Sequence, residues 1–340
     1  MKIKPLILLL LETLSLYESL PAYSVVFVHL GKSLPSYIYD ALLQVRLFNT
    51  SCEIILLANQ SALHSYTDLQ GINITTIPVE SLKETTAHKK YALQSKLKLN
   101  HSRENFWFYT SKRFLHLYDF IKQYDKKDVF HLENDVMLYV NLAEMMPVFT
   151  QYYSGIAAVF DNDNRCIPSF VYIPNALSMQ TLAEWFLRYA NTTKNDMEIL
   201  ALFRKENSIK KIDSLPIIMN SYHENHGLKS TIGHSTENAS TYSKNIDVFK
   251  SVFDGAAIGQ YLGGIDPRNG HSEPGFINES CLFNASLLSY EWILDEHGRK
   301  VPYMGLKNEK YRINNLHIHS KRLTPFLSVL PTNTHGEISS

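Results

Sequence analysis

Apolar runs alternate with helix-spaced segments along the first half of the chain. SVVFVHL (24–30) is apolar almost throughout and closes at Gly31, whereas SLPSYIYDALLQVRLFN repeats its apolar residues Ile38, Ala41, Leu42 and Val45 at helical spacing. CEIILLAN and, after Gly71, INITTIPV have the pattern of two more strands. This rhythm of strand, helix, strand predicts an α/β fold with a doubly wound, mostly parallel central sheet flanked by helices. Ligands of such a sheet sit at the carboxyl ends of its strands, where His29, Leu30, Gly31, Lys32 and Asn59 fall.

The second half continues the pattern with interruptions. FWFYTSKRFLHLYDFIKQY (106–124) has helical spacing from Thr110, with Phe114, Leu115, Leu117, Tyr118 and Ile121 inward, and leads through DKKD into the strand DVFHLENDVMLYVN (128–141). A helix near 142–149, the strands GIAAVF and SFVYIP, a long helix from Ala176 to Tyr189 and a helix in NDMEILALF capped by Asn195 or Asp196 follow. Residues 221–248 are polar and show no period, which predicts a long mobile loop.

Two departures from the apolar pattern carry chemistry. Glu133 and Asp135 lie inside the greasy segment 128–141 at i and i+2, so an extended backbone points both to one face and Asn134 to the other. Two anions at the edge of a core repel and lose hydration unless they share a proton or a cation, and a divalent metal is the simplest answer. A solvated turn between two short strands is the alternative. In YRINNLHIHSKRL, Leu316 and Ile318 take one face of a strand while His317, His319 and Lys321 take the other. That trio suits a metal-bound diphosphate, an imidazole completing the metal's ligands and the ammonium meeting phosphate charge; an exposed edge strand with polar residues outward would also produce it.

Two further places offer polar groups. In FDGAAIGQYLGGIDPRNG, Gly263 and Gly264 permit a close backbone turn, Pro267 stiffens it, and Asp254 and Asp266 bring carboxylates that suit sugar hydroxyls. Alternatively Asp266 caps a turn and touches no ligand. Lys112 and Arg113, near a helix start, either meet a ligand's phosphates or form a solvated face.

Composition narrows the field only a little. The 33 basic and 33 acidic residues cancel, so there is neither a basic field for nucleic acid nor an acidic tail. Twenty Tyr and 17 Phe suit packing first and ring stacking second. Cys52, Cys166 and Cys281 are widely spaced and make no CxxC pair, so neither a zinc knuckle nor a disulfide framework is indicated, and there is room for one bridge. The N-terminus has two lysines, an apolar run from Pro5 to Leu11 that is too short to span a bilayer, and Ala22 ahead of Tyr23. It reads as an export signal, placing the protein in a secretory lumen, a periplasm or outside the cell with no integral membrane span; without the signal it would be cytoplasmic. N-x-S/T sequons at Asn49, Asn59, Asn73, Asn100, Asn191, Asn238, Asn278 and Asn284 fit a lumen weakly.

With these segments in view, the chain resembles the GT-A superfamily of nucleotide-sugar glycosyltransferases. The likeness is strongest to a group carrying HLENDV, GQYLGGIDPRN and NLHIHSK segments and covers roughly residues 24–325. The resemblance implies a metal-dependent transferase that uses manganese or magnesium, a nucleotide-diphosphate sugar as donor and a glycan or glycoconjugate as acceptor. Glu133, Asn134 and Asp135 stand where the family has its D-x-D metal motif, with Glu a departure from it. His319, or alternatively His317, would be the third metal ligand and Lys321 the phosphate ligand. Arg113 would meet the nucleotide sugar; His29 and Gly31 at their strand end and the Gly263–Gly264 turn are further candidates to bind it. Asp196 would touch the donor sugar, and Asp196, Asp254 or Asp266 would deprotonate the acceptor if the enzyme inverts; the C-terminal histidine leans toward retention. The implied organisation is a signal or extension at 1–22, one catalytic domain at 23–325 and a tail at 326–340. An inactive carbohydrate-binding protein on the same fold and a glycoside hydrolase are the other readings. The hydrolase fits poorly, because carboxylates at i and i+2 do not flank a scissile bond.

Overall fold

The computed structural model describes residues 23–64, 71–96, 105–206, 212–270 and 272–329. The expected export signal, the sequon at Asn100 and the end of the chain from residue 330 lie outside them. Numbered along the chain, the strands are β1 (Ser24–His29), β2 (Glu53–Ala58), β3 (Thr75–Pro78), β4 (Val129–Leu132), β5 (Val136–Leu138), β6 (Ile156–Asn162) and β7 (Arg165–Ile173). Then follow β8 (Ile212–Ser214), β9 (Ser251–Val252), β10 (Ser289–Leu294), β11 (Lys300–Leu306), β12 (Glu309–Ile313) and β13 (Asn315–His317).

A central sheet runs β3-β2-β1-β4-β7-β6-β8. β3, β2, β1 and β4 are mutually parallel, β7 is antiparallel to both its neighbours, and β8 is parallel to β6. The fold is therefore α/β with a mostly parallel sheet, as the alternation of apolar runs and helical spacing predicts. β1 and β4 bury nearly every side chain, the pattern of strands covered on both faces. The chain leaves β1 toward β2 and β3 on one side and returns as β4 on the other. A ligand crevice is expected at that reversal, outside the carboxyl ends of β1 and β4.

Several elements depart from the sequence reading. The segment 128–141 is not one strand: β4 stops at Leu132, a turn closed by Val136 N donating to Glu133 O follows, and β5 pairs instead with β13. Residues 221–248 are largely folded, with helices Asn220–His226 and Ile246–Phe249 and a 3-10 turn at Ala239–Thr241, held by single anchors such as Tyr222 and Tyr242 rather than by an apolar period. The helix predicted from Thr110 starts at Phe106, one turn earlier. Residues 326–329, placed in the expected tail, are packed: Tyr139 Oη donates to Phe326 O, and Ser328 N donates to Gln44 Oε1 at 3.0 Å. Cys52, Cys166 and Cys281 are all buried and free. Asn49 is 2% exposed and its side-chain oxygen accepts from Tyr23 and Leu142, so that sequon is a buried brace. Among the described residues no helix is long and apolar enough to cross a membrane.

Candidate active site

Glu133 and Asp135 occupy the turn that ends β4, at the crevice. They converge on one imidazole, with His317 Nε2 3.1 Å from Glu133 Oε2 and 3.2 Å from Asp135 Oδ1. The turn does not leave them in water: Asp135 is 5% exposed. β13 supplies the histidine, because its antiparallel pairing sets His317 opposite Val136. The backbone then leaves the strand, and Lys321, in a left-handed conformation (φ 63°), swings its ammonium onto Asp135 Oδ2. His317, His319 and Lys321 are thus gathered by a strand end and a turn, not by one strand face.

A second layer fixes these groups. His317 Nδ1 donates to Gly255 O at 2.6 Å, which leaves Nε2 as the atom that meets the carboxylates. Asp254 accepts from the backbone N–H of Ile258, Gly259 and His317, at 3.0, 2.8 and 3.0 Å, and so ties the helix Ala257–Gly263 to β13. The approach is close enough to demand glycine at 259, since a Cβ there would lie 2.1 Å from His317 O. Arg113 spans Glu133 Oε1 (2.5 Å) and Asp196 Oδ2 (2.9 Å), all three largely buried.

Charges in this cluster depend on one another. Burial works against ionising Asp135, yet His317 and Lys321 outweigh it and hold the carboxyl well below its usual range. Burial likewise opposes the Glu133 charge, and Arg113 and His317 keep it low. Burial would neutralise His317, but Asp135 and Glu133 push its pKa up to about 9. Because the folded value lies above the ordinary 6.5, the stability gained from this imidazolium is complete below pH 6.5 and is lost as pH rises through about 9. The melting temperature of chelator-treated protein should therefore fall between pH 6.5 and 9, and the slope should flatten in His317→Gln. An equal slope in both would show that His317 bears no such charge.

The remaining expected site residues fall into distinct places. His319 packs its ring 4.2 Å from that of His317, and its Nδ1 meets Gln260 Nε2 at 3.0 Å; its shielded Nε2 has no hydrogen-bond partner among the described residues. Burial and the His317 charge push His319 down to about 3, so it is neutral. Asn134 points away from the carboxylates, donating to Val28 O at 3.3 Å and meeting His29 Nδ1 at 3.2 Å. Gly31 N donates to Asn59 Oδ1 at 2.9 Å, shaping the loop after β1. Gly263 packs on Phe326, and Gly264 (φ 79°) closes so tightly that a Cβ would lie 2.2 Å from Ser272 O. Asp196 accepts from Arg113 and Thr110; Asp266 is gripped by Arg268, which holds its carboxyl down to about 2, and caps a turn. Arg113 is enclosed by two carboxylates, and its charge is balanced inside the protein.

Two contributors have no sequence signal of their own. Gln260 holds His319, and Asp161 is buried behind Gly255, 3.3 Å from Asn278 Nδ2, its carboxyl raised by burial. Beside the cluster opens a cleft of about 470 Å³ lined by Tyr37, Tyr39, Asp40, Lys321, Arg322 and Thr324.

No protein-family model matches the chain, and no curated protein sequence matches it. Among solved structures it is similar to mouse xyloside xylosyltransferase 1, with 8% identity over 60% of this chain and 90% of that one and a TM-score of 0.40. It is also similar to a cytidylyltransferase from Leptospira borgpetersenii, with 12% identity over 57% and 76% and a TM-score of 0.36. The galactosyltransferase LgtC, solved with donor and acceptor sugar analogs, matches at 13% identity over 59% and 77% with a TM-score of 0.34. Such identities place no side chain of those proteins on this one.

Proposed function

We propose that the protein is a metal-dependent glycosyltransferase of the GT-A type, moving a sugar from a nucleotide-diphosphate sugar to an acceptor hydroxyl of a glycan or glycoconjugate. The observation that carries the reading is the convergence of Glu133, Asp135 and His317 on one point, with Lys321 alongside, at the carboxyl ends of β1 and β4. The donor set fits a divalent cation: two carboxylates bind hard ions, the imidazole favours manganese over magnesium, and His317 is oriented by the Nδ1–H to carbonyl bond common behind metal-bound histidines. When bound, the cation would neutralise charge on the diphosphate as it departs.

The chain's own residues would do the rest. Lys321 offers an ammonium at the same place, so negative charge growing on the leaving group meets a fixed positive one. Arg113 holds Glu133 from behind and serves as a positioning residue. Tyr37 and Tyr39 line the adjoining cleft, where flat rings and polar rims suit a nucleoside or sugar. Asp196, Asp254 and Asp266 each have both carboxylate oxygens engaged by internal donors. An inverting enzyme would have to free one of them as the acceptor base, whereas a retaining enzyme needs none. Glu133 and Asp135 share one imidazole and do not flank a bond, which leaves hydrolysis by paired carboxylates without its geometry.

Manganese titrated in the presence of nucleoside diphosphate, with hydrolysis of a panel of nucleotide sugars as readout, tests this reading. His317→Ala should weaken manganese binding by at least about tenfold, the size of effect seen when a metal site loses a supporting group. His319→Ala should alter it less. Binding weakened only in the His319 variant would move the third ligand to that ring, and unaltered binding in both would remove the three-ligand site. The anomer formed, read by NMR, tests retention.

A further inference from the structure

A second group of metal-type side chains lies outside the cleft. The helix Thr86–Gln94 carries His88 and the helix Phe106–Gln123 carries His116 and Asp119, whose i, i+3 spacing stacks them on one face. One donor atom of each lies within 4.8 Å of the others, and all three side chains are buried. Asp119 Oδ2 is 2.5 Å from His88 Nδ1 while Oδ1 accepts from Thr85 N at 2.8 Å, and the two rings meet edge to face at 4.5 Å.

Hydrogen bonding accounts for only part of this arrangement. His88 Nε2 and His116 Nδ1 are shielded from water and have no hydrogen-bond partner among the described residues. A buried ring nitrogen left unpaired is costly, and His116 Nδ1 beside this carboxylate calls for an explanation; His88 Nε2 looks instead toward Glu84, 3.8 Å away. A proton shared by His88 and Asp119 explains that pair but gives His116 nothing.

We propose that His88, His116 and Asp119 form a second metal site, for a zinc-class divalent cation, that ties these two helices together. Two imidazoles and one carboxylate are a zinc donor set, and a tetrahedral ion places its donors about 3.4 Å apart, within reach of a cluster this compact. Binding would open the short His88–Asp119 contact as the ion replaces the proton. His116 also follows Arg113 by one helical turn, so a clamped helix would hold fixed the guanidinium behind Glu133.

The test uses the full-length Asp135→Asn chain, in which the cleft ligands are crippled. Metal analysis after dialysis should find about one zinc per chain, and zinc chloride added after chelator treatment should raise the melting temperature by several degrees. Cobalt in its place should give the visible absorption of a four-coordinate ion. His116→Gln added to that chain should abolish all three signals. Absence of retained zinc and of any zinc-dependent melting shift in the Asp135→Asn chain would overturn the proposal, and that result does not depend on whether the His116 variant folds. It is equally independent of the cleft reading, since no sugar transfer is measured.

Discussion

Asp135→Asn should reduce metal-dependent sugar transfer on the order of a thousandfold in kcat/KM, which corresponds to about 4 kcal/mol of lost transition-state stabilisation. Asp135 accepts from two cationic side chains, His317 and Lys321, and the substitution removes the charge that both answer. The fold should survive, because Asn has the same shape and the backbone bond from Ile318 N to Asp135 O is untouched. The measurements are turnover against manganese concentration and the melting temperature of the same sample. Near wild-type turnover at saturating manganese would exclude Asp135 from the metal site.

Arg113→Ala should act in the opposite sense, on stability before activity. It strips the shared cation from Glu133 and Asp196 and leaves two carboxylates buried and facing one another. Breaking a buried ion pair from one side costs about 3–5 kcal/mol, or about 4–7 °C in melting temperature for a chain of this size. Thermal unfolding in metal-free buffer reads the effect directly. An unchanged melting temperature with a raised donor KM would make Arg113 a donor ligand instead.

Much of the fold is legible in the sequence because parallel strands covered on both faces leave long apolar runs, as in SVVFVHL and EIILLA. The site is legible only in its residue types. Glu133 and Asp135 stand out as charges within an apolar segment, yet the turn that lets β5 leave for β13 has no local mark, since its cause is pairing with a strand far along the chain. His317 and His319 are indistinguishable by alternation. The Gly255 carbonyl and the Asp254 carboxylate, both remote in sequence, turn one toward the carboxylates, while Gln260 turns the other aside. Residues 221–248 escape pattern reading for a different reason: a few buried aromatics hold them where no period is present.

The pairing of β5 with β13 also sets when the centre comes into being. Lys321 meets Asp135 across 186 residues, and until β13 docks the two carboxylates have neither imidazole nor ammonium. Contacts that long are the slow ones to close. During synthesis β1 to β4 can assemble while the ribosome is still extending the C-terminal third, and they do so with the centre incomplete. The four side chains come together only in the final act of folding, so on the proposed reading a half-made molecule would have no means of spending a nucleotide sugar.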